Sequence, residues 1–289
     1  MNLTDYKEIR ALLEKHGFRF SKSLGQNFLT AAWVPEDIAE AAGLDEQTGV
    51  LEIGPGVGCL TRELSRRAGK VVSVELDRSL RPVLAETLTG CENVEVVFGD
   101  ILKQDLPALL DETMPGLRHV VCANLPYNVT TPVLTALLES GLFETVTVMI
   151  QREVARRICA ALNTPDYGAF GVFVQWHAET ELLFDVPPSC FVPQPKVTSS
   201  VIRLTRRAAP PVPVRDEDFL FRIVRAAFNQ RRKTLINALA SQVPGVTKED
   251  VEKALAALGY DTRIRGEVLS LGGFAEISDK IPEIQNADL

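Results

Sequence analysis

The sequence predicts an α/β fold: a mostly parallel sheet built from βαβ units, followed by a small α-helical C-terminal domain. Three observations predict it. Short β-branched runs alternate with helical patterns through the first two-thirds of the chain. A proline cluster, Ala208-Ala209-Pro210-Pro211-Val212-Pro213-Val214, then interrupts the pattern, because it can continue neither a helix nor an interior strand. Beyond it the two clear periodic segments are helical. The 289 residues suit two domains at roughly 150 residues each. The reading divides them at 1–207 and 208–289.

In chain order, Val50–Ile53, Val71–Leu76, Val94–Phe98, His119–Ala123 and Thr145–Ile150 read as buried strands, each a short apolar run. Leu60–Ala68, Leu80–Leu88, Leu106–Leu110 and Pro132–Leu138 read as the helices between them. Thr131 before Pro132 reads as an N-cap with proline at the first helical position. Ser199–Leu204 reads as a late strand of the same sheet. Past the prolines, Phe219–Ala240 and Lys248–Leu258 read as helices.

Composition narrows the class. Hydrophobic residues make up 46% and charged residues 24%, which excludes global disorder. No apolar run approaches about 18 residues, so no membrane span is expected. Met1–Glu8 lacks a basic-then-apolar leader pattern, and the expected location is cytoplasmic. Cys59, Cys91, Cys122, Cys159 and Cys190 are scattered, with no Cys-x-x-Cys, and read as reduced core thiols. With only His16, His119 and His177 beside them, no metal site is expected. A monomer is the default expectation.

The net charge of −7 argues against polyanion binding, but its distribution does not. Residues 152–157, 203–215 and 222–233 carry twelve bases and one acid. Screening cuts interactions off within about 8 Å at physiological salt, so local charge decides.

The chemistry-bearing residues cluster at strand ends. Gly54-Pro55-Gly56-Val57-Gly58 closes the first strand, and its glycines permit close backbone approach to a ligand. Its spacing is not that of the dinucleotide fingerprint. Glu75 ends the second strand, where a carboxylate can accept ribose hydroxyls. Asp100 ends the third, placed to accept from an adenine amino group. Asn124-Leu125-Pro126-Tyr127 ends the fourth. Ligands of open parallel sheets bind outside the carboxyl ends of the strands, where all four positions fall.

Together these motifs resemble those of adenine-N6 methyltransferases that use S-adenosylmethionine. Three further segments resemble the ribosomal RNA adenine dimethyltransferases, the small-subunit (16S) enzymes in particular. They are Ser23-Leu24-Gly25-Gln26-Asn27-Phe28-Leu29, Phe191-Val192-Pro193-Gln194-Pro195-Lys196-Val197-Thr198-Ser199-Ser200 and Phe228-Asn229-Gln230-Arg231-Arg232-Lys233-Thr234-Leu235. The resemblance covers about residues 20–275. It implies a Rossmann-like methyltransferase sheet and N6,N6-dimethylation of adenines within an immature small ribosomal subunit.

The resemblance also implies roles. Asn27 and Leu29 close over the methionine end of the cofactor, and Gly54 and Gly56 admit it. Glu75 holds its ribose and Asp100 its adenine amino group. Leu76 and Ile101 either sandwich its adenine or pack in the core. Asn124, which also contacts the cofactor, and the Leu125 carbonyl accept the hydrogens of the target amine, and Pro126 stiffens their turn. Tyr127 and Phe191 stack on the flipped base. Arg152, Arg156, Arg157, Arg222, Arg225, Arg231, Arg232 and Lys233 meet RNA phosphates. Alternative readings are a dinucleotide oxidoreductase, a DNA adenine methyltransferase, a large-subunit RNA methyltransferase, and an assembly factor without essential catalysis.

Overall fold

The computed structural model describes residues 1–20 and 25–287. The chain opens with α1 (Tyr6–Lys15), β1 (Phe28–Leu29) and α2 (Trp33–Ala41). Asp5 caps α1, its carboxylate accepting from the Lys7 and Glu8 amides. Strict alternation follows: β2 (Thr48–Ile53), α3 (Cys59–Ser65), β3 (Lys70–Glu75), α4 (Arg81–Thr87), β4 (Val94–Phe98), α5 (Leu106–Thr113), β5 (Arg118–Asn124), α6 (Thr130–Ser140) and β6 (Thr145–Gln151). Then come α7 (Arg152–Ile158), α8 (Ala169–His177), β7 (Ala178–Val186), β8 (Phe191–Val192) and β9 (Ser199–Arg206). Four helices complete the chain: α9 (Glu217–Asn229), α10 (Leu235–Gln242), α11 (Lys248–Ala257) and α12 (Leu271–Ala287).

Seven strands form one sheet in the order β4-β3-β2-β5-β6-β9-β7. Strands β2 to β6 are parallel, and β9 runs antiparallel to β6. The chain winds outward from β2 through β3 to β4, then returns to β5 on the other side of β2. The strand order therefore reverses between β2 and β5, where such sheets open a crevice. The central strands are buried on both faces, which is why their sequences are continuous apolar runs.

The described chain divides into two compact units. One comprises 1–155 and 179–206; the other comprises 156–178 and the residues from 207 onward. The crossing at 206–207 lies beside the proline cluster. Those at 155–156 and 178–179 have no proline or composition signal, so the sequence reading places residues 156–178 in the sheet domain. In the structure Tyr167, Val172 and Trp176 share a core with Leu220, Ile223, Leu239, Phe274 and Ile277.

Two local expectations need correction. Thr131 is not the N-cap of α6. The cap is Val129, and the Pro126 carbonyl accepts from the Val129 amide and the Thr130 hydroxyl. Pro132 is the third helical residue, where its missing N–H would have had no intrahelical partner. The single helix expected over 219–240 is two. Apolar residues stop at Phe228 and resume at Leu235, and the intervening Asn-Gln-Arg-Arg-Lys-Thr forms a turn in which Lys233 N donates to Gln230 O at 2.8 Å. The five cysteines are free thiols, and burial pushes that of Cys59 up to about 12. Among the described residues no helix is long and apolar enough to cross a membrane.

Candidate active site at the strand ends

Backbone hydrogen bonds beyond the ladders knit the strand ends into one rim. Gly54 N donates to Val74 O at 3.0 Å, Gly99 N to Glu75 O at 2.9 Å, and Leu125 N to Met149 O at 3.1 Å. A cleft opens along this rim. It is lined by residues 25–29, by 52–57 with Cys59 and Leu60, by 74–76 with Leu80, by 99–102, and by 124–129. It encloses about 1130 Å³ of space not filled by atoms, its solvent-open mouth included.

Gly54 and Gly56 occupy left-handed backbone conformations, with φ of +71° and +59°. An L side chain costs about 1–2 kcal/mol there. A Cβ on Gly56 would also sit 3.1 Å from ring carbons of Phe28, closing the space between the glycine turn and β1.

Glu75 is nearly buried at the tip of β3. Its Oε1 accepts from Asp77 N at 2.8 Å and its Oε2 from Gly56 N at 3.3 Å. Burial pushes this carboxyl above its ordinary value, against the two amides, which favour the anion. Each oxygen keeps acceptor capacity toward the cleft. Asp100 caps the short helical turn after β4, accepting from Leu102 N at 3.1 Å.

Leu76 is 53% exposed, so it does not pack in the core, and Ile101 is half-buried; both line the cleft. The neighbouring Leu102, not singled out by sequence, is exposed there as well. Large apolar side chains left open in a cleft mark a surface for an apolar or aromatic ligand group.

The opposite wall is the turn after β5. The Asn124 side-chain nitrogen donates to Asn27 O at 3.4 Å, leaving its side-chain oxygen as an acceptor. Leu125 is buried, and Pro126 and Tyr127 are half-buried. The Tyr127 hydroxyl lies 2.7 Å from Ser199 Oγ. Asn27 and Leu29 cross the cleft on residues 25–29, which are held by Gln26 donating to Asp77 at 2.6 Å and by β1 pairing with β8. Ser23 and Leu24 of the N-terminal motif lie outside the described residues.

Phe191 is not among the cleft-lining residues. It is 3% exposed, paired across β8–β1 with Leu29, and packed into the core of the sheet unit. Stacking on a base as expected from sequence requires the ring to be uncovered first.

Sequence reasoning passed over Glu52. It lines the cleft and is 1% exposed, and its Oε2 accepts from Thr61 Oγ1 at 2.7 Å and Ser73 Oγ at 2.6 Å. Burial raises its pKa to about 7; the two hydroxyls oppose the rise and the Glu75 charge adds to it. A charged residue inside the apolar run Val50-Leu51-Glu52-Ile53 was the signal available.

The basic candidates differ in their surroundings. Arg152 lies 3.6 Å from Asp185. Arg231 donates to the carbonyls of Pro165 and Tyr167 at 3.2 and 3.0 Å, and lies over the Phe228 ring. Arg156, Arg157, Arg222, Arg225, Arg231, Arg232 and Lys233 are exposed, and Arg222 lies over the Phe219 ring.

The family model described as ribosomal RNA adenine dimethylase matches residues 17–266. The chain belongs to this family. It is 47% identical to ribosomal RNA small subunit methyltransferase A of Geobacillus thermodenitrificans (strain NG80-2), over 94% of both chains. It is 48% identical to the protein of that name from Shouchella clausii (strain KSM-K16), over 94% of this chain and 93% of the relative. Among solved structures, the 23S rRNA methyltransferase ErmE is 30% identical, with a TM-score of 0.66 over 88% of this chain and 99% of its own. A dimethyladenosine transferase from Plasmodium falciparum shares the fold, with a TM-score of 0.74 over 89% of this chain and 98% of its own at 24% identity.

This family member is thus a methyltransferase that uses S-adenosylmethionine. The residues present fit that cofactor. Glu75 offers acceptors at a strand tip, Leu76, Ile101 and Leu102 offer an apolar surface beside Asp100, and the glycine turn keeps open a cradle that a Cβ would fill.

Proposed function

We propose that the chain transfers methyl groups to the exocyclic nitrogen of adenines in small-subunit ribosomal RNA, giving N6,N6-dimethyladenosine. One observation carries the reading most directly. The Asn124–Tyr127 turn and the Gly54, Glu75 and Asp100 strand ends face one cleft. The relatives named for the small ribosomal subunit, 44–48% identical over nearly the whole chain, support the choice of RNA.

S-adenosylmethionine supplies an electrophilic methyl on a sulfonium. Glu75 holds its ribose hydroxyls, Asp100 its adenine amino group, and Leu76 and Ile101 its adenine faces. Asn27, Leu29, Gly54 and Gly56 enclose the rest.

The acceptor nitrogen is a poor nucleophile because its lone pair is delocalised into the purine. The Asn124 side-chain oxygen and the Leu125 carbonyl accept its hydrogens. That draws the nitrogen toward tetrahedral geometry and aims the lone pair across the cleft. Pro126 holds the turn, and Tyr127 stacks on the base once it leaves its helix. Base–aromatic stacking is worth about 1–3 kcal/mol. Two transfers need the once-methylated amine to bind with one hydrogen fewer, so stacking and shape share the work with hydrogen bonds.

The exposed set Arg156, Arg157, Arg222, Arg225, Arg232 and Lys233 meets backbone phosphates, which position the RNA without reading its sequence. The substrate is an immature small subunit, and the enzyme acts as a cytoplasmic monomer.

The test is methyl transfer from labelled S-adenosylmethionine to small subunits lacking the modification, followed by nucleoside analysis. Label in N6,N6-dimethyladenosine is expected, lost in Asn124→Ala with RNA binding retained. Label only in large-subunit RNA, or wild-type transfer by Asn124→Ala, would overturn the reading.

A further inference from the structure

We propose that Ser199 is a positioning residue for methyl transfer, acting by anchoring the Tyr127 ring. The proposal rests on the stacking role of Tyr127 given above.

Ser199 lies in the late motif Phe191–Ser200, yet it does not line the cleft. It is the first residue of β9, fully buried, and opposite Gln151 on β6. Sheet register explains its reach. Asn124 at the end of β5 pairs with Met149, and Met149 pairs with Val201. Two residues further along β6, Gln151 pairs with Ser199, level with the turn that follows Asn124. The antiparallel β9 therefore starts beside the place where β5 has just ended. Seventy-two residues of chain separate Ser199 from Tyr127, and three adjacent strands bring them to 2.7 Å.

The bond joins a cleft residue to the frame. Tyr127 is half-buried and lines the cleft, while its hydroxyl meets a serine that solvent does not reach. Burial raises the phenol pKa, so the hydroxyl keeps its proton and serves as donor or acceptor. A tyrosine ring has two soft torsions, and the terminal one is broad. A base stacks on the ring only when the ring plane is set. Fixing the far end of the ring removes that freedom before the base arrives. The ordering cost then falls on folding rather than on each encounter. Pro126 fixes the backbone before the ring, and Ser199 fixes its tip.

The experiment is a double-mutant cycle on methyl transfer to unmethylated small subunits, with kcat and KM measured separately. The variants are Ser199→Ala, Tyr127→Phe, their combination, and Tyr127→Ala. Ser199→Ala and Tyr127→Phe each remove the same hydrogen bond, from opposite sides. Each should lower kcat by about three- to tenfold, the worth of one net hydrogen bond. The combination should be no slower than the slower single variant. Cofactor affinity, read by calorimetry, should be unchanged in all of them.

Multiplying effects would overturn the proposal, because Ser199 would then act through something other than the phenol. Unchanged kcat in Tyr127→Phe would overturn it too, and that variant leaves the core intact if Ser199→Ala fails to fold. Wild-type transfer by Tyr127→Ala is a separate outcome that would overturn the stacking role itself. A crippled Tyr127→Ala beside an unaffected Tyr127→Phe would keep the stacking role and remove Ser199 from it.

Discussion

Replacing Glu52 by glutamine should stabilise the protein, increasingly as the pH rises from about 4.5 to about 7. The side chain is 1% exposed and its pKa is raised from an ordinary 4.5 to about 7, chiefly by burial. Below about pH 4.5 the carboxyl is neutral in both the folded and the unfolded chain, and burial carries no ionic cost. Between 4.5 and about 7 the unfolded chain releases the proton while the folded chain keeps it. The folded state then binds more protons, so stability falls as pH rises through that window. Above about 7 both states are ionised and the whole cost is present. Moving the midpoint from 4.5 to about 7 corresponds to about 3 kcal/mol. Glutamine keeps a carbonyl oxygen for Thr61 and Ser73 and never ionises. Thermal unfolding by calorimetry at pH 4 and pH 8 reads the difference. The variant should come close to wild type at pH 4 and exceed it at pH 8 by about 6–12 °C, at about 2–4 °C per kcal/mol for a chain of this size. An offset that is the same at both pH values would rule this origin out, since the whole effect lies in one ionisation. So would a variant less stable than wild type at pH 8.

Three other perturbations test separate parts of the site. Gly56→Ala places a Cβ 3.1 Å from the Phe28 ring in a left-handed conformation. It should cost about 1–2 kcal/mol and weaken cofactor binding, and an unchanged melting temperature would count against the cradle. Glu75→Gln should lower S-adenosylmethionine affinity about 10- to 100-fold by calorimetry, the range of a charge-assisted hydrogen bond, and leave RNA affinity alone. Equal losses of both would remove Glu75 from the ribose. Arg231→Ala should lower the melting temperature, because Arg231 ties the backbone of Pro165 and Tyr167. Arg232→Ala should leave the melting temperature alone and reduce the salt slope of RNA binding by about one, and the reverse pattern would exchange their roles.

The legible parts of this chain were those where one residue type answers one local demand. The central strands were visible because a doubly covered parallel sheet requires continuous apolar runs. Val94–Phe98 was placed to the residue but is not the buried strand expected: it is the edge strand, half-buried, with Glu95 exposed. The Gly54, Glu75, Asp100 and Asn124 positions were visible because each ends such a run. What was missed depends on pairings across the chain. Glu52 carries no motif of its own, and its role depends on Ser73 from β3 and Thr61 from α3 meeting it. Phe191 was read as a cleft aromatic from its motif alone, and its pairing with Leu29 buries it instead. The crossing at residues 155–156 left no trace in composition, because α8 answers the apolar demand of a core whose other members lie beyond residue 219.

Net charge misleads here for a related reason. The chain carries −7 overall, yet a phosphate responds only to charges within a Debye length, about 8 Å at physiological salt. Counting arginines locally also overstates the case, because a guanidinium spent on the protein does not release counterions from RNA. Arg231 sits in the densest basic run of the sequence, Arg231-Arg232-Lys233, and faces two backbone carbonyls and the Glu267 carboxylate at 3.8 Å. Arg152 faces Asp185. Arg225, Arg232 and Lys233 are exposed and meet no carboxylate within ion-pair distance among the described residues. The turn between α9 and α10 thus uses one arginine to fix its own shape and presents the next two basic residues outward. A run of three like charges at a helix break reads as one RNA-binding patch in sequence. In the structure it divides into an arginine that braces the backbone of residues 165 and 167 and two exposed basic residues, and the melting temperature and the salt slope are the two measurements that report them separately.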